Sequence, residues 1–306
     1  MKILGTGSAV AKKVVTNDDL AKVMDTSDAW IRERTGIGQR YVAEEDESPA
    51  TIGAQAATKA LEMAGLQSTD IELILVATAS SMHRVPTVSC QIQDIIGATG
   101  AACIDVGAAC AGFMTALTVA DAYLQAGAYK RILVLGTETL SDMVDWTDRT
   151  SCILFGDGAG AVVVEAGGND LIYSLGADGS KGDALSCRVD AKVIMDGQAV
   201  YRFATRTVPQ CMRAAMDKAG ITPADIDHFI LHQANIRIIE AIAKNMGEPM
   251  EKFPVNIQNY GNMSSASIPV LLDEQVRAGK IKAGERIIMS GFGAGLTYGA
   301  CILVWS

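Results

Sequence analysis

The sequence predicts an α/β fold built from two related halves. Helical and strand patterns alternate along the 306 residues, which favours layers of helices packed against mostly buried strands. A helix, glycine, strand segment occurs twice, in 61–77 and in 216–232, 155 residues apart. A second pair of segments, 125–136 and 277–291, recurs in the same order with three extra residues. Two matches in one order favour an internal duplication over chance.

Local signals define the elements of this repeated unit. Ser48 and Pro49 suit the N-cap and first turn of a helix that runs to about Ala64, where Gly65 ends it. The run 72–77 then predicts a strand that is apolar on both faces. Four residues of the unit recur identically in the second copy: Ala64, Gly65, Asp70 and Ile71 as Ala219, Gly220, Asp225 and Ile226.

Composition excludes several classes of protein. The net charge of -9 argues against a nucleic-acid binder, which needs clustered Lys and Arg to neutralise phosphate. Seven cysteines, an odd number without a C-x-x-C pair, indicate neither a disulfide framework nor a zinc site and fit a reducing cytosol. The N-terminus has too short an apolar stretch for a secretory signal. We therefore expect a cytoplasmic protein.

Two uncharged stretches are interpreted as buried core. Residues 106–120 are 15 in number, fewer than the roughly 18 to 20 that cross a bilayer as a helix. Residues 287–306 are long enough, but four glycines interrupt them in a strand, turn, strand pattern. We expect no membrane association.

A run of small residues surrounds Cys110 in DVGAACAGF, residues 105–113. Apolar residues then recur at helical spacing as far as Leu124, which predicts Cys110 at the N-terminus of a buried helix. Such a position can lower the pKa of a thiol and favour the nucleophilic thiolate. The small neighbours leave room for a thioester carbon to approach. A small core residue is the alternative interpretation, and it is preferred for the other six cysteines.

The repeat predicts partners for this cysteine. Counting back from the Ala-Gly pairs at 126–127 and 278–279, Cys110 falls opposite Asn262, and His232 ends the repeated strand. Sites in α/β folds form where strands end and helices begin. Packing about a pseudo-twofold axis would therefore bring Cys110, His232 and Asn262 together. Taken singly, His232 is equally compatible with a structural histidine, and Asn262 with an Asx-turn.

Two glycine motifs do not indicate nucleotide sites. GTGS at 5–8 lacks the third glycine and the acidic residue of a dinucleotide site. FGDGAGA at 155–161 leads into a strand and therefore lacks the helix N-terminus that binds phosphate.

Motifs along the whole chain resemble the β-ketoacyl-[acyl-carrier-protein] synthase III family. In order they are ILGTGS, TSDAWIRERTGI, CQIQ, DVGAACAGF, DRTSCILFGDGAGA, LHQANIRII, YGNMSSAS and GFGAGLTYG. The resemblance implies a thiolase-like fold with duplicated halves in a five-layer α-β-α-β-α sandwich. Residues 1–165 would form the half that carries the nucleophile, and 166–306 the half that carries His and Asn. It also implies a homodimer.

The resemblance implies that Cys110, His232 and Asn262 are the family's catalytic triad. Cys110 would attack an acyl-CoA thioester and keep the acyl group. His232 and Asn262 would then donate hydrogen bonds to the thioester oxygen of malonyl-ACP as CO2 leaves, and the carbanion would attack the acyl-cysteine. The backbone N–H groups of Cys110 and Ala294 would form the oxyanion hole. The family uses no metal and no other cofactor, since acyl-CoA and malonyl-ACP are substrates.

The resemblance also implies two binding surfaces, one for CoA and one for the acyl carrier protein. The CoA contacts are Trp30, Arg34, Arg149, Gly197, Tyr201, Ala234 and Asn235. The patch for the acyl carrier protein is Arg202, Arg237 and Lys244, of which the last two share one face of a predicted helix. Arginine suits both base stacking and phosphate binding. An ordinary solvated charge is the alternative for each of these cations taken singly.

Three departures from the family pattern concern specificity. Val85, after Arg84, stands where many acetyl-preferring members have Phe in the loop that caps the partner subunit's acyl pocket. The segment between Gly182 and Gly197 is shorter than in typical members, and Leu296 replaces a common aromatic residue. A smaller residue at Val85 predicts room for longer or branched primers.

Other functions remain open at this point. A related starter enzyme of polyketide or alkylquinolone biosynthesis would use the same triad on other acyl groups. Asn262 argues against the elongating synthases, which have a second His there, and Cys301 is poorly placed for the second Cys of a thiolase. A non-catalytic scaffold that binds acyl carrier protein would have lost its nucleophile. A cysteine hydrolase would release free acid without using malonyl-ACP.

Overall fold

The computed structural model describes residues 1–189 and 191–306. The strands are β1 (Lys2–Val10), β2 (Lys13–Thr16), β3 (Gln39–Val42), β4 (Leu73–Ala77), β5 (Ala102–Val106), β6 (Arg131–Glu138), β7 (Gly158–Glu165), β8 (Ile172–Ala177), β9 (Leu185–Ser186), β10 (Ile194–Met195), β11 (His228–Leu231), β12 (Arg286–Gly293) and β13 (Thr297–Val304). The α-helices are α1 (Asn17–Ala21), α2 (Asp28–Thr35), α3 (Pro49–Ala64), α4 (Val88–Ile96), α5 (Gly112–Gln125), α6 (Gly197–Ala219), α7 (Ile236–Met246), α8 (Ile257–Tyr260) and α9 (Ser267–Arg277).

Each of the two larger sheets is built from one half of the chain. A five-stranded sheet has the order β1-β7-β6-β4-β5, and a four-stranded sheet has the order β11-β12-β13-β8. The strands of the first lie within 2–165 and those of the second within 172–304. The two copies of the repeated strand are β4 and β11. In the first sheet β4 pairs in parallel with β6, and in the second sheet β11 pairs in parallel with β12. The boundary predicted at 165 falls between β7 and β8.

The elements stack in five layers, which confirms the predicted fold class. Helices α5 and α9 share one buried cluster with residues of both sheets, so they form the central layer. Helices α3 and α4 pack on the outer face of the first sheet, and α6 and α7 on the outer face of the second. The two apolar stretches are core as predicted, since 106–120 lies largely in α5 and 287–306 in β12 and β13. None of the described helices has the length and apolarity to cross a membrane.

The duplication predicted from 61–77 and 216–232 is present in the backbone. Gly65 and Gly220 end α3 and α6 in the same left-handed conformation, with φ of 66° and 65°, which favours glycine. In both copies a short 3-10 turn follows, closed by the carboxylates of Asp70 and Asp225. Equivalent residues of the two halves are here 155 positions apart.

The predicted pairing of Cys110 with Asn262 is wrong by three residues. α5 has 14 residues and α9 has 11, so the ends of the two helices differ by 152 positions and their starts by 155. Ala109 and Ser264 share a positive φ of 46° and each opens a 3-10 turn before its helix. Ser265 is therefore the structural counterpart of Cys110. Asn262 lies three residues before that counterpart.

Asp273 joins α9 to β1, and we expect its loss to destabilise the fold. The buried carboxylate accepts hydrogen bonds from Thr6 Oγ1 (2.7 Å), Ser8 Oγ (2.6 Å) and Arg277 Nε (2.7 Å). Asp273→Ala leaves these donors without an acceptor and should lower the free energy of unfolding by about 3 kcal/mol.

Urea denaturation measures this loss. The control is Asp46→Ala, because Asp46 is an exposed carboxylate paired with an exposed lysine, and it should change the free energy of unfolding far less than Asp273→Ala does. Equal losses in the two variants would contradict the expectation.

Candidate active site

One cavity between the two halves collects the three side chains that the sequence singled out. Its volume is about 680 Å³, and Cys110, His232 and Asn262 all line it. A smaller chamber of about 160 Å³ is also lined by Cys110, together with Ala294. Cys110 therefore lies where a wide channel meets a narrow pocket.

Cys110 is held against a strand of the other half. It lies in the 3-10 turn before α5 and is only 8% exposed. A Cβ atom at Gly293 of β12 would lie 2.5 Å from Cys110 N, and one at Gly291 would lie 3.3 Å from Cys110 O and 3.1 Å from His232 Cβ. A side chain at Gly293 would clash with this backbone, and one at Gly291 would be in tighter than ordinary contact with its neighbours. The two glycines thus allow Cys110 and His232 to lie against the same strand, β12.

Burial, and not the helix terminus, dominates the pKa of Cys110. Desolvation raises that pKa to about 12, although a hydrogen bond from the Ser264 side chain lowers it. The expectation that the start of α5 would lower the pKa is therefore wrong, because desolvation outweighs it. Cys110 is a thiol at neutral pH, and its proton has to be removed during any nucleophilic attack.

His232 follows β11 and is neutral. Burial lowers its pKa to about 3. Its Nδ1 atom lies 2.6 Å from Ser267 Oγ, which also lies 2.9 Å from Ser264 O. The single hydroxyl hydrogen of Ser267 can point to Ser264 O, so that Nδ1–H donates and Nε2 keeps a lone pair, or to Nδ1, so that Nε2 carries the hydrogen. His232 can thus present either a proton acceptor or a donor at Nε2.

Asn262 forms the Asx-turn that the sequence allowed, and it is also a candidate hydrogen-bond donor to a ligand. Its Oδ1 atom accepts a hydrogen bond from Ser264 N at 2.8 Å, so the Nδ2 group is the end that remains for a ligand. Nδ2 has no acceptor among the described residues. Backbone hydrogen bonds with Leu154 O (2.8 Å) and Gly156 N (3.0 Å) fix Asn262 at the cavity wall.

All seven residues predicted to contact CoA line the larger cavity: Trp30, Arg34, Arg149, Gly197, Tyr201, Ala234 and Asn235. The guanidinium groups of Arg34 and Arg149 lie 4.6 Å and 5.0 Å from the centre of the Trp30 ring. This cluster offers a flat face and two positive charges, which suit a base and phosphate groups.

Two of the three cations predicted to bind the carrier protein lie at the mouth of this cavity. Arg202 and Arg237 line an adjoining opening together with Arg34. Arg237 donates two hydrogen bonds to Glu33 O, at 3.1 Å and 2.8 Å, which anchor it. Lys244 is exposed in the last turn of α7 and does not line the opening.

Val85 stands apart from the site within a single chain. It is 79% exposed on the loop between β4 and α4, and it lines neither chamber that contains Cys110. A role at the acyl pocket needs a second subunit and stays a prediction. Among the described residues, no group of three or more His, Cys, Asp or Glu side chains is arranged to hold a metal ion.

Sequence reasoning missed three polar residues beside the triad. Ser264 and Ser267 orient Asn262 and His232, and Glu138 lies buried at the end of β6. The serines were visible in YGNMSSAS as turn residues only. A lone acidic residue at the end of the apolar run RILVLGTE was the available signal for Glu138.

Family models match both halves of the chain. The model described as 3-Oxoacyl-[acyl-carrier-protein (ACP)] synthase III matches residues 104–179, and the model for its C-terminal part matches residues 216–305. The chain belongs to the 3-oxoacyl-[acyl-carrier-protein] synthase III family.

Relatives of the synthase III family match over the full length. The β-ketoacyl-[acyl-carrier-protein] synthase III of Geobacillus kaustophilus is 48% identical and covers 99% of this chain and 98% of its own. That of Clostridium acetobutylicum is 43% identical, with 100% and 99% covered. The crystal structure of the Aquifex aeolicus enzyme has a TM-score of 0.97 at 43% identity, with 99% of both chains covered. The priming β-ketosynthase of the R1128 polyketide pathway has a TM-score of 0.95 at 36% identity, with 99% and 96% covered.

In this member of the synthase III family, the neutral His232 should make stability depend on pH. Its pKa is about 3 in the folded protein and about 6.5 when unfolded. Between these pH values the unfolded state binds a proton that the folded state does not. The free energy of unfolding is therefore not reduced by His232 above about pH 6.5, and it falls as the pH is lowered from there towards 3. We expect wild type to lose on the order of 4 kcal/mol more than His232→Gln over that range.

Chemical denaturation at a series of pH values measures the difference. His83→Gln, at an exposed histidine, is the control for removing one imidazole and should follow wild type. Parallel pH profiles for wild type and His232→Gln would show that His232 is not desolvated.

Proposed function

We propose that this protein is a β-ketoacyl-[acyl-carrier-protein] synthase III, which condenses an acyl-CoA primer with malonyl-ACP and so initiates fatty acid synthesis. The observation that carries this proposal is the cavity in which Cys110, His232 and Asn262 meet below a channel that contains Trp30. Relatives of that name, 43% and 48% identical over nearly the whole chain, support it.

In the first half-reaction, Cys110 Sγ attacks the carbonyl carbon of the acyl-CoA thioester. His232 Nε2 accepts the thiol proton and returns it to the CoA sulfur, so that CoA leaves as a thiol. The N–H groups of Cys110 and Ala294 stabilise the oxyanion formed in between. A neutral imidazole is required for this step, and burial keeps His232 neutral.

In the second half-reaction, malonyl-ACP loses CO2 and the electron pair of the broken C–C bond forms an enolate. Asn262 Nδ2 and His232 Nε2 donate to the enolate oxygen. For this step His232 adopts its other neutral tautomer, in which Nδ1 accepts from Ser267 Oγ and Nε2 carries the single ring hydrogen. The enolate carbon attacks the acyl-cysteine, and the Cys110 thiolate leaves and takes up a proton from solvent. The product is a β-ketoacyl-ACP. These steps use no metal or other cofactor.

The surroundings of the site support acyl-CoA and an acyl carrier protein as ligands. The Trp30 cluster suits the nucleotide end of CoA, and the arginines at the mouth suit an acidic carrier on an otherwise acidic protein. An open β5 edge and the exposed apolar side chains of Met82 and Val85 support a homodimer. Each of the seven cysteines is a free thiol, which fits the cytoplasm.

A second candidate is a starter condensing enzyme of polyketide biosynthesis. It is favoured by the priming β-ketosynthase of the R1128 pathway, which shares 36% identity and the same fold. The chemistry would be the same, and the carrier protein would differ. A preference for a polyketide carrier over a fatty acid carrier in kcat/KM would favour this candidate.

Intact-protein mass spectrometry tests the covalent step. The enzyme is mixed with acetyl-, butyryl-, isobutyryl- or octanoyl-CoA, beside a Cys110→Ala control. We expect one acyl adduct per chain in wild type and none in the control. No adduct with any donor would contradict the proposal and favour a scaffold, and rapid loss of the adduct as free acid would favour a hydrolase.

Val85 should widen the choice of primer. Val85→Phe should lower kcat/KM for isobutyryl-CoA relative to acetyl-CoA by about tenfold or more, because a larger side chain from the partner subunit would narrow the acyl pocket. Steady-state assays with both donors measure the ratio. The control is Val23→Phe, at an exposed valine outside both chambers. An unchanged ratio, or a strong preference of wild type for acetyl-CoA, would contradict this prediction.

A further inference from the structure

One buried carboxyl group beside the nucleophile has no part in the mechanism above. Glu138 ends β6 and is wholly buried. Its Oε2 atom accepts hydrogen bonds from Ala79 N (3.0 Å) and Ser80 Oγ (2.7 Å). Its Oε1 atom lies 2.7 Å from Ser265 Oγ and 3.4 Å from Ser265 N. A negative charge on Glu138 would raise the pKa of Cys110, so the state of this carboxyl affects the nucleophile.

The internal duplication explains this position. β6 and β12 are equivalent strands, so Glu138 corresponds to Gly293, and Ser265 corresponds to Cys110. Gly293 lies against Cys110 N, one of the two proposed oxyanion-hole donors. In the first half, the position equivalent to Gly293 is occupied by Glu138, and the Glu138 carboxyl contacts Ser265 N and Oγ. The Ser265 N–H group therefore faces a carboxyl oxygen where its counterpart would face the oxygen of a substrate.

The hydrogen bonds of Ser265 indicate which form of the carboxyl is present. Ser265 Oγ lies 2.9 Å from Ala77 O and 2.7 Å from Glu138 Oε1, and a hydroxyl has one hydrogen. A carbonyl oxygen cannot donate. If the hydroxyl donates to Ala77 O, the hydrogen in the contact with Glu138 belongs to the carboxyl. A neutral acid accounts for both contacts of Ser265 Oγ, with Oε1–H donating to it and Oε2 accepting from Ala79 N, Ser80 Oγ and Thr78 Oγ1. Burial raises the pKa of Glu138 and outweighs the hydrogen bonds, which lower it.

The serine next to Glu138 lies in a short segment that orients two site residues. In that segment Ser264 N donates to Asn262 Oδ1 at 2.8 Å, and Ser267 Oγ contacts His232 Nδ1 at 2.6 Å. A displacement of this segment would therefore move both groups that are to bind the thioester oxygen.

We propose that Glu138 is a positioning residue that acts as a neutral carboxylic acid in the second copy of the oxyanion hole. It fixes Ser265, and with it the segment that orients Asn262 and His232, without placing a negative charge beside Cys110. The inference rests on the proposed function for the roles of those three residues. The protonation of Glu138 can be tested without any substrate.

Infrared difference spectroscopy tests the protonation directly. At about pH 8, wild type minus Glu138→Gln should show the carbonyl band of a protonated acid. Asp157→Asn is the matched control, because Asp157 is a buried carboxyl that accepts from Ser141 N and Ala43 N and has its pKa raised to about 6. Its difference spectrum should show a carboxylate. A carboxylate band for Glu138 would overturn the proposal, whatever reaction the enzyme catalyses.

Two variants of Glu138 test the positioning role. In Glu138→Gln the amide group can donate to Ser265 Oγ while its oxygen accepts, so the rate of Cys110 acylation should stay within about threefold of wild type. Glu138→Ala leaves buried donors unpaired and should slow acylation by about tenfold or more. A fall in Glu138→Gln as large as that in Glu138→Ala, or no fall in either variant, would overturn the role.

Alkylation of Cys110 by iodoacetamide over a range of pH gives a readout that a purely structural role would not move. Cys110 is the titratable group that senses a charge at position 138. If Glu138 is neutral, Glu138→Gln leaves the rate of alkylation between about pH 7 and 8 unchanged, because the thiolate fraction of Cys110 is the same in both proteins. A faster rate for the variant in this range would show that it removed a negative charge, which overturns the proposal even if Glu138→Ala does not fold.

Discussion

The contact between β12 and the turn that carries Cys110 is the constraint on which the site depends. Gly293 and Gly291 allow the backbone of the second half to lie against Cys110 of the first. Any side chain at Gly293 would push the two halves apart at this point, because the nearest atom, Cys110 N, is backbone and cannot move aside. The same contact brings His232, which belongs to the second half, to the side of Cys110.

Burial then sets the protonation of the groups held there. Desolvation raises the pKa of Cys110 to about 12 and lowers that of His232 to about 3, so both are neutral before substrate binds. In the proposed mechanism, the thiol proton therefore moves to His232 as the sulfur attacks the thioester carbon.

The sequence predicted most of the fold and the members of the site, and the reasons are local. Glycines such as Gly65 and Gly220 end helices in a conformation that few other residues adopt, so they remain recognisable in both copies. The register between Cys110 and Asn262 was wrong because α9 is three residues shorter than α5 and the loop after it is three residues longer. The two changes cancel each other, so the sequences on either side of them match in both halves and the three-residue shift between them was not visible.

Other features of the site depend on three-dimensional surroundings and could not be predicted in this way. The pKa of Cys110 is set by desolvation, which requires knowing what packs over the thiol. Ser267 resembles any serine near a helix start until His232 is placed beside it. The role proposed for Glu138 depends on the correspondence between the two halves and on the contact of its carboxyl with Ser265, and the sequence shows neither.

The most direct test of the account is a single turnover of isolated acyl-enzyme. Enzyme acylated at Cys110 and freed of CoA is mixed with malonyl-ACP, and CO2, β-ketoacyl-ACP and free acid are measured per chain. The account predicts one CO2 and one β-ketoacyl-ACP for each acyl group consumed. Release of the acyl group as free acid without CO2 would contradict it.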